Sequence, residues 1–121
     1  MIDHILINVS DVAASRAFYE QALKPLGYEV IDDSGKFVGL GAGGKPEFWV
    51  SDRDRPGTPI HIAIASPDRA TVDAFYEAAL AAGGEDNGPP GLRVQYHPSY
   101  YGAFVRDPDG NNVEAVCHQP E

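Results

Sequence analysis

Residues 100–118 read YYGAFVRDPDGNNVEAVCH, which is the pattern of two strands joined by a tight turn. Residues 107–110 (DPDG) carry Asp, Pro and Gly at the first, second and fourth positions, which is typical of a type I turn. The flanking strands are therefore predicted to be antiparallel neighbours. Alternation along the second strand places Glu114 on the face opposite its apolar neighbours. A carboxylate in mid-strand indicates either a solvated outer face or a functional position.

The length and composition of the chain indicate one ordinary domain. It has 121 residues, of which 43% are hydrophobic, enough for one packed core. Lys and Arg number 9 against 18 Asp and Glu, a net charge of −9 without a basic cluster, which argues against nucleic acid. Residues 1–4 (MIDH) do not resemble a signal peptide and no apolar run is long enough for a membrane, so we expect a cytoplasmic protein. Cys117 is the only cysteine, which excludes an internal disulfide.

The first half of the chain predicts the order βαβββ. Residues 3–9 alternate as a strand, and Ser10 with Asp11 supplies the N-cap of a helix whose apolar residues recur at helical spacing. Three further strands are predicted, at residues 28–31, 36–40 and 47–50. A polar connector with Pro and Gly then leads to the second half.

The second half of the sequence repeats the first. A shift of 57 residues aligns residues 4–27 with residues 61–84, and twelve of the twenty-four positions are identical. A shared helical stripe can arise by chance, but a strand histidine and a helix cap in the same register indicate duplication. We therefore predict a single domain, residues 1–121, made of repeat modules 1–52 and 59–121.

The second module is predicted to follow the same order as the first. We expect a helix capped by Ser66 with Pro67 at its first position, and then a loop rich in Gly and Pro at residues 85–91. The strands that follow include the one that carries Glu114.

Each module offers a histidine on its first strand and a glutamate on its last strand. If the modules pair about a pseudo-twofold axis, four side chains converge on one point: His4, Glu47, His61 and Glu114. Two imidazoles and two carboxylates suit a divalent metal of borderline hardness, with two octahedral positions left for water or a chelating substrate. Zinc, nickel, cobalt, manganese and iron(II) all remain possible.

The chain resembles the vicinal oxygen chelate superfamily, which includes glyoxalase I, fosfomycin and bleomycin resistance proteins and extradiol dioxygenases. The resemblance covers essentially the whole chain, and its carriers are IDHILINVSDVAASRAFYEQAL (2–23), HIAIASPDRATVDAFYEAAL (61–80) and AFVRDPDGNNVEAV (103–116). It implies an α+β fold in which two tandem βαβββ modules form a curved mixed sheet around a central cavity, commonly within a homodimer. It also implies that the glyoxalase metal ligands fall on His4, Glu47, His61 and Glu114, the last also being the proton-transferring carboxylate.

Some positions depart from the pattern of these relatives. Asn8 stands where bacterial-type glyoxalase I has an arginine that helps to hold glutathione, and Phe104 stands where extradiol dioxygenases have a tyrosine. These departures argue against glutathione and against ring cleavage. Residues 92–101 (LRVQYHPSYY) have no partner in the first half and form either a pocket-lining loop or a surface loop. The candidate substrate-binding residues are Asn8, Trp49, Arg93, His97 and Tyr101.

The sequence thus predicts a metal-dependent, glyoxalase-like lyase or isomerase acting on a small substrate that chelates the metal through two neighbouring oxygens. A divalent ion bound to the substrate carbonyl raises the acidity of the neighbouring C–H of the substrate, so a general base is needed within reach. Glu114 is the predicted base, since the resemblance places the proton-transferring carboxylate at this position. Two alternatives remain open: a metal-free antibiotic-binding protein of the bleomycin resistance type, and an iron(II) extradiol-type dioxygenase. The expected partners are a small-molecule substrate and a second copy of the chain, without nucleic acid or membrane.

Overall fold

The computed structural model describes residues 1–120. The first module folds in the predicted order, with an added 3₁₀ turn at Lys24–Leu26 after the helix. Each strand begins and ends within two residues of the run that the sequence pattern predicts. The elements are β1 (Ile5–Asn8), α1 (Val12–Ala22), β2 (Glu29–Asp33), β3 (Phe37–Gly41) and β4 (Phe48–Ser51).

The second module repeats this order but contains one strand that the sequence pattern did not predict. Residues 85–91, predicted as a loop, belong to a strand that pairs with one neighbour only and whose register slips on both sides of Gly88. An edge strand tolerates Pro89 and Pro90, which cannot donate to a ladder, and its bulges accommodate the glycines. The elements are β5 (His61–Ala65), α2 (Arg69–Ala81), β6 (Glu85–Leu92), β7 (Tyr101–Arg106) and β8 (Asn112–Cys117).

The two modules form two four-stranded sheets with the same strand order. The first sheet is ordered β1-β4-β3-β2 and the second β5-β8-β7-β6. In each sheet the first strand of the module runs parallel to the last, and the other neighbours are antiparallel. This confirms the predicted α+β fold of two tandem βαβββ modules. β1 and β5 each lie at one edge of their sheet, and residues of both strands line a common groove of about 300 Å³.

Both helices begin at an aspartate. Asp11 caps α1, as predicted, and accepts a hydrogen bond at 3.1 Å from the amide three residues later. The predicted cap of α2 is wrong: Asp68, not Ser66, is the N-cap, and its carboxylate accepts from the amide of Thr71 at 2.8 Å. The Ser66 hydroxyl instead donates to the main-chain carbonyl of Asp68 at 2.8 Å, and Pro67 lies before the helix. The carboxylate of Asp68 is placed to reach the free amides of the first turn.

One hydrophobic core joins the two modules. Tyr19 on α1 contacts Phe18 and Phe48 edge-on, with ring centroids 5.0 and 4.7 Å apart. The same cluster continues across α2 and the second sheet, and its buried members include Leu40, Val50, Val72, Phe75, Val105 and Val113. Because residues of both modules exclude water together, the sheets are held against the two helices.

No helix within residues 1–120 has the length and apolar character needed to cross a membrane.

The turn between β7 and β8 is built as predicted and is tied to the first module. The amide of Gly110 donates to the carbonyl of Asp107 at 3.0 Å, and Gly110 has a φ of 84°, which favours glycine. The buried carboxylate of Asp107 accepts from the amides of Asp109 and Asn111, at 2.9 and 2.8 Å, and from the Asn111 side chain at 2.9 Å. It also accepts from the hydroxyl of Tyr19. Burial, and then the charge of Asp107, hold the pKa of Tyr19 well above its usual value, so this hydroxyl remains a donor.

Replacing Asp107 by alanine is expected to destabilise the whole domain. The substitution leaves three N–H groups and the Tyr19 hydroxyl without their acceptor, so the free energy of unfolding should fall by about 2–4 kcal/mol. Urea denaturation followed by circular dichroism measures this change. Asp54→Ala is the matched control, because Asp54 lies in an exposed ion pair with Arg53 and its loss should change stability by about 0.5 kcal/mol or less. Equal stabilities for the two variants would contradict the assigned role of Asp107.

Candidate functional site

Glu114 lies at the centre of the second sheet. Its strand, β8, runs between β5 and β7, and Glu114 is level with Ala63 on one side and Phe104 on the other. Val113 and Ala115 point into the core, so alternation turns Glu114 to the opposite face of the sheet. At this point that face is not solvated, because Glu114 is 0% exposed. A solvated outer face therefore does not explain this carboxylate.

Both carboxylate oxygens of Glu114 have partners. Oε1 lies 2.7 Å from Nε2 of His61, and Oε2 accepts a hydrogen bond from the hydroxyl of Tyr100. An ionised carboxylate has no proton to donate, so in this pair His61 carries its proton on Nε2. The His61 side chain is 54% exposed whereas that of Glu114 is 1% exposed. The pair thus joins a buried carboxylate to an imidazole that solvent and small molecules can reach.

Tyr100 is the residue of this site that the sequence analysis does not select. The predicted residue is its neighbour Tyr101, whose hydroxyl lies 2.7 Å from the carboxylate of Asp73 on α2 and so points away from Glu114. Burial, and then the hydrogen bond to Glu114, raise the pKa of Tyr100, so its hydroxyl remains protonated. The sequence does contain a signal for Tyr100. Residues 100 and 104 are both even-numbered, and alternate residues of a strand share a face. Phe104 lies opposite Glu114, so Tyr100 is directed to the face of the sheet that carries Glu114.

The residues predicted as their counterparts in the first module have other neighbours. Nδ1 of His4 lies 2.7 Å from Oδ1 of Asp3, and the His4 side chain is 56% exposed. Glu47 comes just before β4, where the strand registers align it with Asn112 and not with Glu114, and it lies near Tyr28. Burial first, and then Glu47, raise the pKa of Tyr28 to about 12. Both predicted ligands of the first module are therefore engaged locally.

The four predicted metal ligands are not gathered at one point. His61 and Glu114 are close enough to serve as adjacent ligands, whereas His4 and Glu47 line two different clefts. Within residues 1–120, no group of three or more His, Cys, Asp or Glu side chains is arranged to hold a metal ion. In this arrangement one chain supplies two of the four predicted ligands, His61 and Glu114, at one place. The residues of a single chain therefore do not fit the complete four-ligand metal centre.

Trp49 lines a cleft of about 610 Å³ on the first module. Its ring packs against Gly39, where an added Cβ would lie only 2.9 Å from ring atoms. A Lys45–Asp3 ion pair of 3.0 Å and His4 are the polar features of this cleft. Its other lining residues are apolar: Leu6, Phe37 and Pro46. Trp49, a predicted substrate-binding residue, therefore lies in an aromatic cleft whose lining does not include Glu114.

The other predicted substrate-binding residues are dispersed. Asn8 lines a smaller cleft of about 230 Å³, and its Oδ1 is buried with no hydrogen-bond partner. The guanidinium of Arg93 donates to two main-chain carbonyls of its own segment, at 2.8 and 2.7 Å, and lies over the ring of Phe104. The ring of His97 contacts that of Tyr100, with centroids 5.8 Å apart. Of these residues, His97 therefore lies beside Tyr100, which donates its hydroxyl to Glu114. The guanidinium of Arg93 is bound to carbonyls of β6.

Comparisons with known proteins agree with this fold. A family model described as Glyoxalase/Bleomycin resistance protein/Dioxygenase superfamily matches residues 1–115. The chain is similar to the crystal structure of a glyoxalase/bleomycin resistance protein from Albidiferax ferrireducens T118, with 27% identity, a TM-score of 0.79 and 97% of each chain covered. No significant match is found among curated protein sequences.

Two further solved structures share the fold at lower identity. One is a glyoxalase/bleomycin resistance protein/dioxygenase family enzyme from Burkholderia phytofirmans PsJN, with 23% identity, a TM-score of 0.75 and 98% of each chain covered. The other is lactoylglutathione lyase from Agrobacterium tumefaciens, with 22% identity, a TM-score of 0.68, and 97% of this chain and 92% of that chain covered. Likeness at these identities shows the fold alone.

The family match extends from before β1 into β8, so it includes both modules and the His61–Glu114 pair. The duplicated strand order and the aligned histidines of β1 and β5 are consistent with that match. The chain therefore belongs to the glyoxalase/bleomycin resistance protein/dioxygenase superfamily.

Proposed function

We propose that this protein is an enzyme of the lyase or isomerase class in which Glu114 transfers a proton on a small substrate with two neighbouring oxygens. The observation that carries the proposal is the burial of Glu114 in the middle of a central strand. Burying a carboxylate costs free energy unless donors compensate, and an apolar residue would pack there at lower cost. A buried carboxylate paired with an accessible imidazole is a typical arrangement for acid–base catalysis.

The two oxygens of Glu114 have different surroundings. Oε2 is occupied by the Tyr100 hydroxyl, whereas Oε1 faces the half-exposed His61. Oε1 is therefore the oxygen that a substrate can approach from the His61 side. A general base must come within hydrogen-bonding distance of the proton that it removes.

In the proposed reaction, Oε1 takes a proton from the carbon next to a substrate carbonyl. The electron pair of the broken C–H bond forms a C=C bond, and the carbonyl π pair moves to its oxygen. Nε2–H of His61, released from Oε1, is a donor for that oxygen as it gains charge. The hydroxyl proton of the first carbon then passes to the charged oxygen, and its O–H electron pair forms the new carbonyl. Glu114 returns the abstracted proton to the former carbonyl carbon, where the C=C pair forms the new C–H bond; this completes an isomerisation and restores the carboxylate.

Replacing Glu114 by glutamine tests the role of the carboxylate. A practical probe is hydroxyacetone or dihydroxyacetone in D₂O, where proton abstraction exchanges C–H for C–D and the ¹H signal disappears. Glutamine keeps the shape but cannot accept the proton, so the exchange rate should fall by about 10²–10⁴-fold. Glu77→Gln, an exposed position on α2, should exchange at the wild-type rate. A Glu114→Gln protein that exchanges as fast as wild type would refute the proposal.

We propose a divalent ion as the cofactor, because the imidazole of His61 and the carboxylate of Glu114 are groups that bind such ions. When bound, such an ion would replace the Nε2 proton of His61 and would stabilise negative charge on the substrate oxygens in its place. Two neighbouring ligands are too few for the complete centre, so further ligands would have to come from water, from the substrate or from the second copy of the chain in the proposed homodimer. His4, at 56% exposure, is available to such a partner.

Metal binding can be measured directly by equilibrium dialysis with Zn²⁺ or Ni²⁺ followed by elemental analysis. We expect one ion per chain, lost completely in His61→Ala because a ligand is removed. Glu47→Gln should weaken binding less, because Glu47 lines a cleft that includes neither His61 nor Glu114. A wild-type protein that retains no ion after reconstitution would remove the metal from the proposal and favour the second candidate function.

The second candidate function is metal-free binding of an aromatic or cationic antibiotic. It is favoured by the apolar cleft of about 610 Å³ that Trp49 lines, a volume suited to a small organic molecule. The net charge of −9 favours a cationic ligand. Binding here would use the first module and leave Glu114 without a chemical role.

Tryptophan fluorescence tests this binding, because Trp49 is the only tryptophan of the chain. Titration with bleomycin should change its emission saturably if the cleft is the binding site. Leu6→Arg places a positive charge on the apolar wall and should weaken binding of a cationic antibiotic by about tenfold or more, through repulsion and through desolvation of that charge. Val94→Arg is the control, since Val94 is exposed and lies outside the cleft. Unchanged emission, or equal effects of both variants, would exclude the cleft as the antibiotic site.

A further inference from the structure

The segment that carries Tyr100, residues 93–100, is folded tightly by its own backbone. The amide of Arg93 donates to the carbonyl of Tyr100 at 2.7 Å, and the amide of Tyr100 donates to the carbonyl of His97 at 3.1 Å. The amide of Tyr96 donates to the carbonyl of Arg93 at 2.9 Å. The corresponding connection in the first module, residues 34–36, is too short to form such a structure. The second sheet thus carries a folded loop at the position from which Tyr100 reaches Glu114.

Three aromatic rings surround the ring of Tyr100. We call Tyr96, His97 and His118 the ring clamp; their centroids lie 5.0, 5.8 and 5.2 Å from that of Tyr100. All three rings meet the Tyr100 ring edge-on, the arrangement that aromatic quadrupoles favour. The ring of Tyr100 is therefore held on several sides.

The two histidines of the ring clamp are themselves linked. The amide of Ser99 donates to Nδ1 of His97 at 3.0 Å, so His97 carries its proton on Nε2. That nitrogen lies 2.5 Å from Nδ1 of His118, and the two rings stack at 4.8 Å. His118 follows the end of β8. The ring clamp therefore connects the loop to the strand on which Glu114 stands.

The other end of Tyr100 reaches Glu114 over a glycine. A Cβ added at Gly102 would lie 3.2 Å from the Tyr100 ring and 3.3 Å from Oε2 of Glu114. Both distances are tighter than ordinary contacts, so a side chain at this position would press on the ring and on the carboxylate. Gly102 therefore leaves the space in which the hydroxyl and the carboxylate meet.

We propose that Tyr100 is a positioning residue that holds Oε2 of Glu114 and thereby presents Oε1 to the substrate. This inference rests on the proposed function of Glu114 as a base. The two oxygens of a free carboxylate exchange places when the group rotates, and a charge-assisted hydrogen bond to one of them prevents this rotation. The ring clamp fixes the donor, the donor fixes the carboxylate, and the carboxylate then has one oxygen for chemistry.

The test uses Tyr100→Phe, which keeps the ring and removes the hydroxyl. In ¹³C-labelled protein at pH about 8, where ordinary glutamates are ionised, the Glu114 carboxyl resonance, assigned by its loss in Glu114→Gln, should shift. Deuterium exchange of hydroxyacetone should show a kcat lower by about ten- to a hundredfold with KM within about twofold, because a misplaced base slows the chemical step. His118→Ala, at an exposed position, should shift the same resonance in the same direction by less.

Tyr76→Phe is the matched control, since it removes a tyrosine hydroxyl from another carboxylate, that of Asp86. It should leave both the Glu114 resonance and the exchange rate unchanged. A Glu114 resonance that moves no more in Tyr100→Phe than in this control overturns the inference, and so does a shifted resonance with unchanged kcat. A different result refutes the proposed function instead: the resonance shifts in Tyr100→Phe, but the wild-type protein exchanges no deuterium. Tyr100 then remains the residue that orients the carboxylate.

Discussion

The buried carboxylate of Asp107 is the interaction on which the placement of the site depends. It accepts hydrogen bonds from the turn between β7 and β8 and from Tyr19 on α1, so one acceptor serves donors of both modules. β8 begins soon after this turn, and the turn sets its register against β7. A slip of one residue would turn Glu114 into the core and Val113 out of it. The chemistry proposed for Glu114 therefore depends on a hydrogen-bonded turn four to seven residues earlier in the chain.

Most of the fold could be predicted from local patterns, because alternation, helix caps and the duplication each act over short stretches. The exception is β6, whose residues EDNGPPGL lack strand alternation. It is a strand because β7 offers it a partner, which is a tertiary effect. Tyr100 was not predicted for a related reason. Its approach to Glu114 depends on how residues 93–100 fold onto themselves, which is not a local pattern of the sequence. The available signal is that Tyr100 and Phe104 are both even-numbered, but using it requires the register of β7 against β8, which places Phe104 opposite Glu114.

The predicted convergence of two histidines assumed that duplicated positions keep duplicated partners. The structure shows why His4 and His61 differ. The residue before His4 is Asp3, whose carboxylate binds the imidazole at 2.7 Å. The aligned residue before His61 is Ile60, which has no polar group to offer. His61 has therefore no acceptor next to it in the chain, and its Nε2 pairs across the sheet with Glu114.

The two glutamates do not occupy equivalent positions of the modules. With Ile5 aligned to Ile62, the strand registers place Phe48 at the level of Val113, so Trp49 is the counterpart of Glu114 and Glu47 is the counterpart of Asn112. The first sheet therefore has an indole where the second sheet has a carboxylate. A buried carboxylate requires donors, and His61 and Tyr100 lie on its two oxygens. The duplicated fold thus acquires one site that differs chemically from its counterpart.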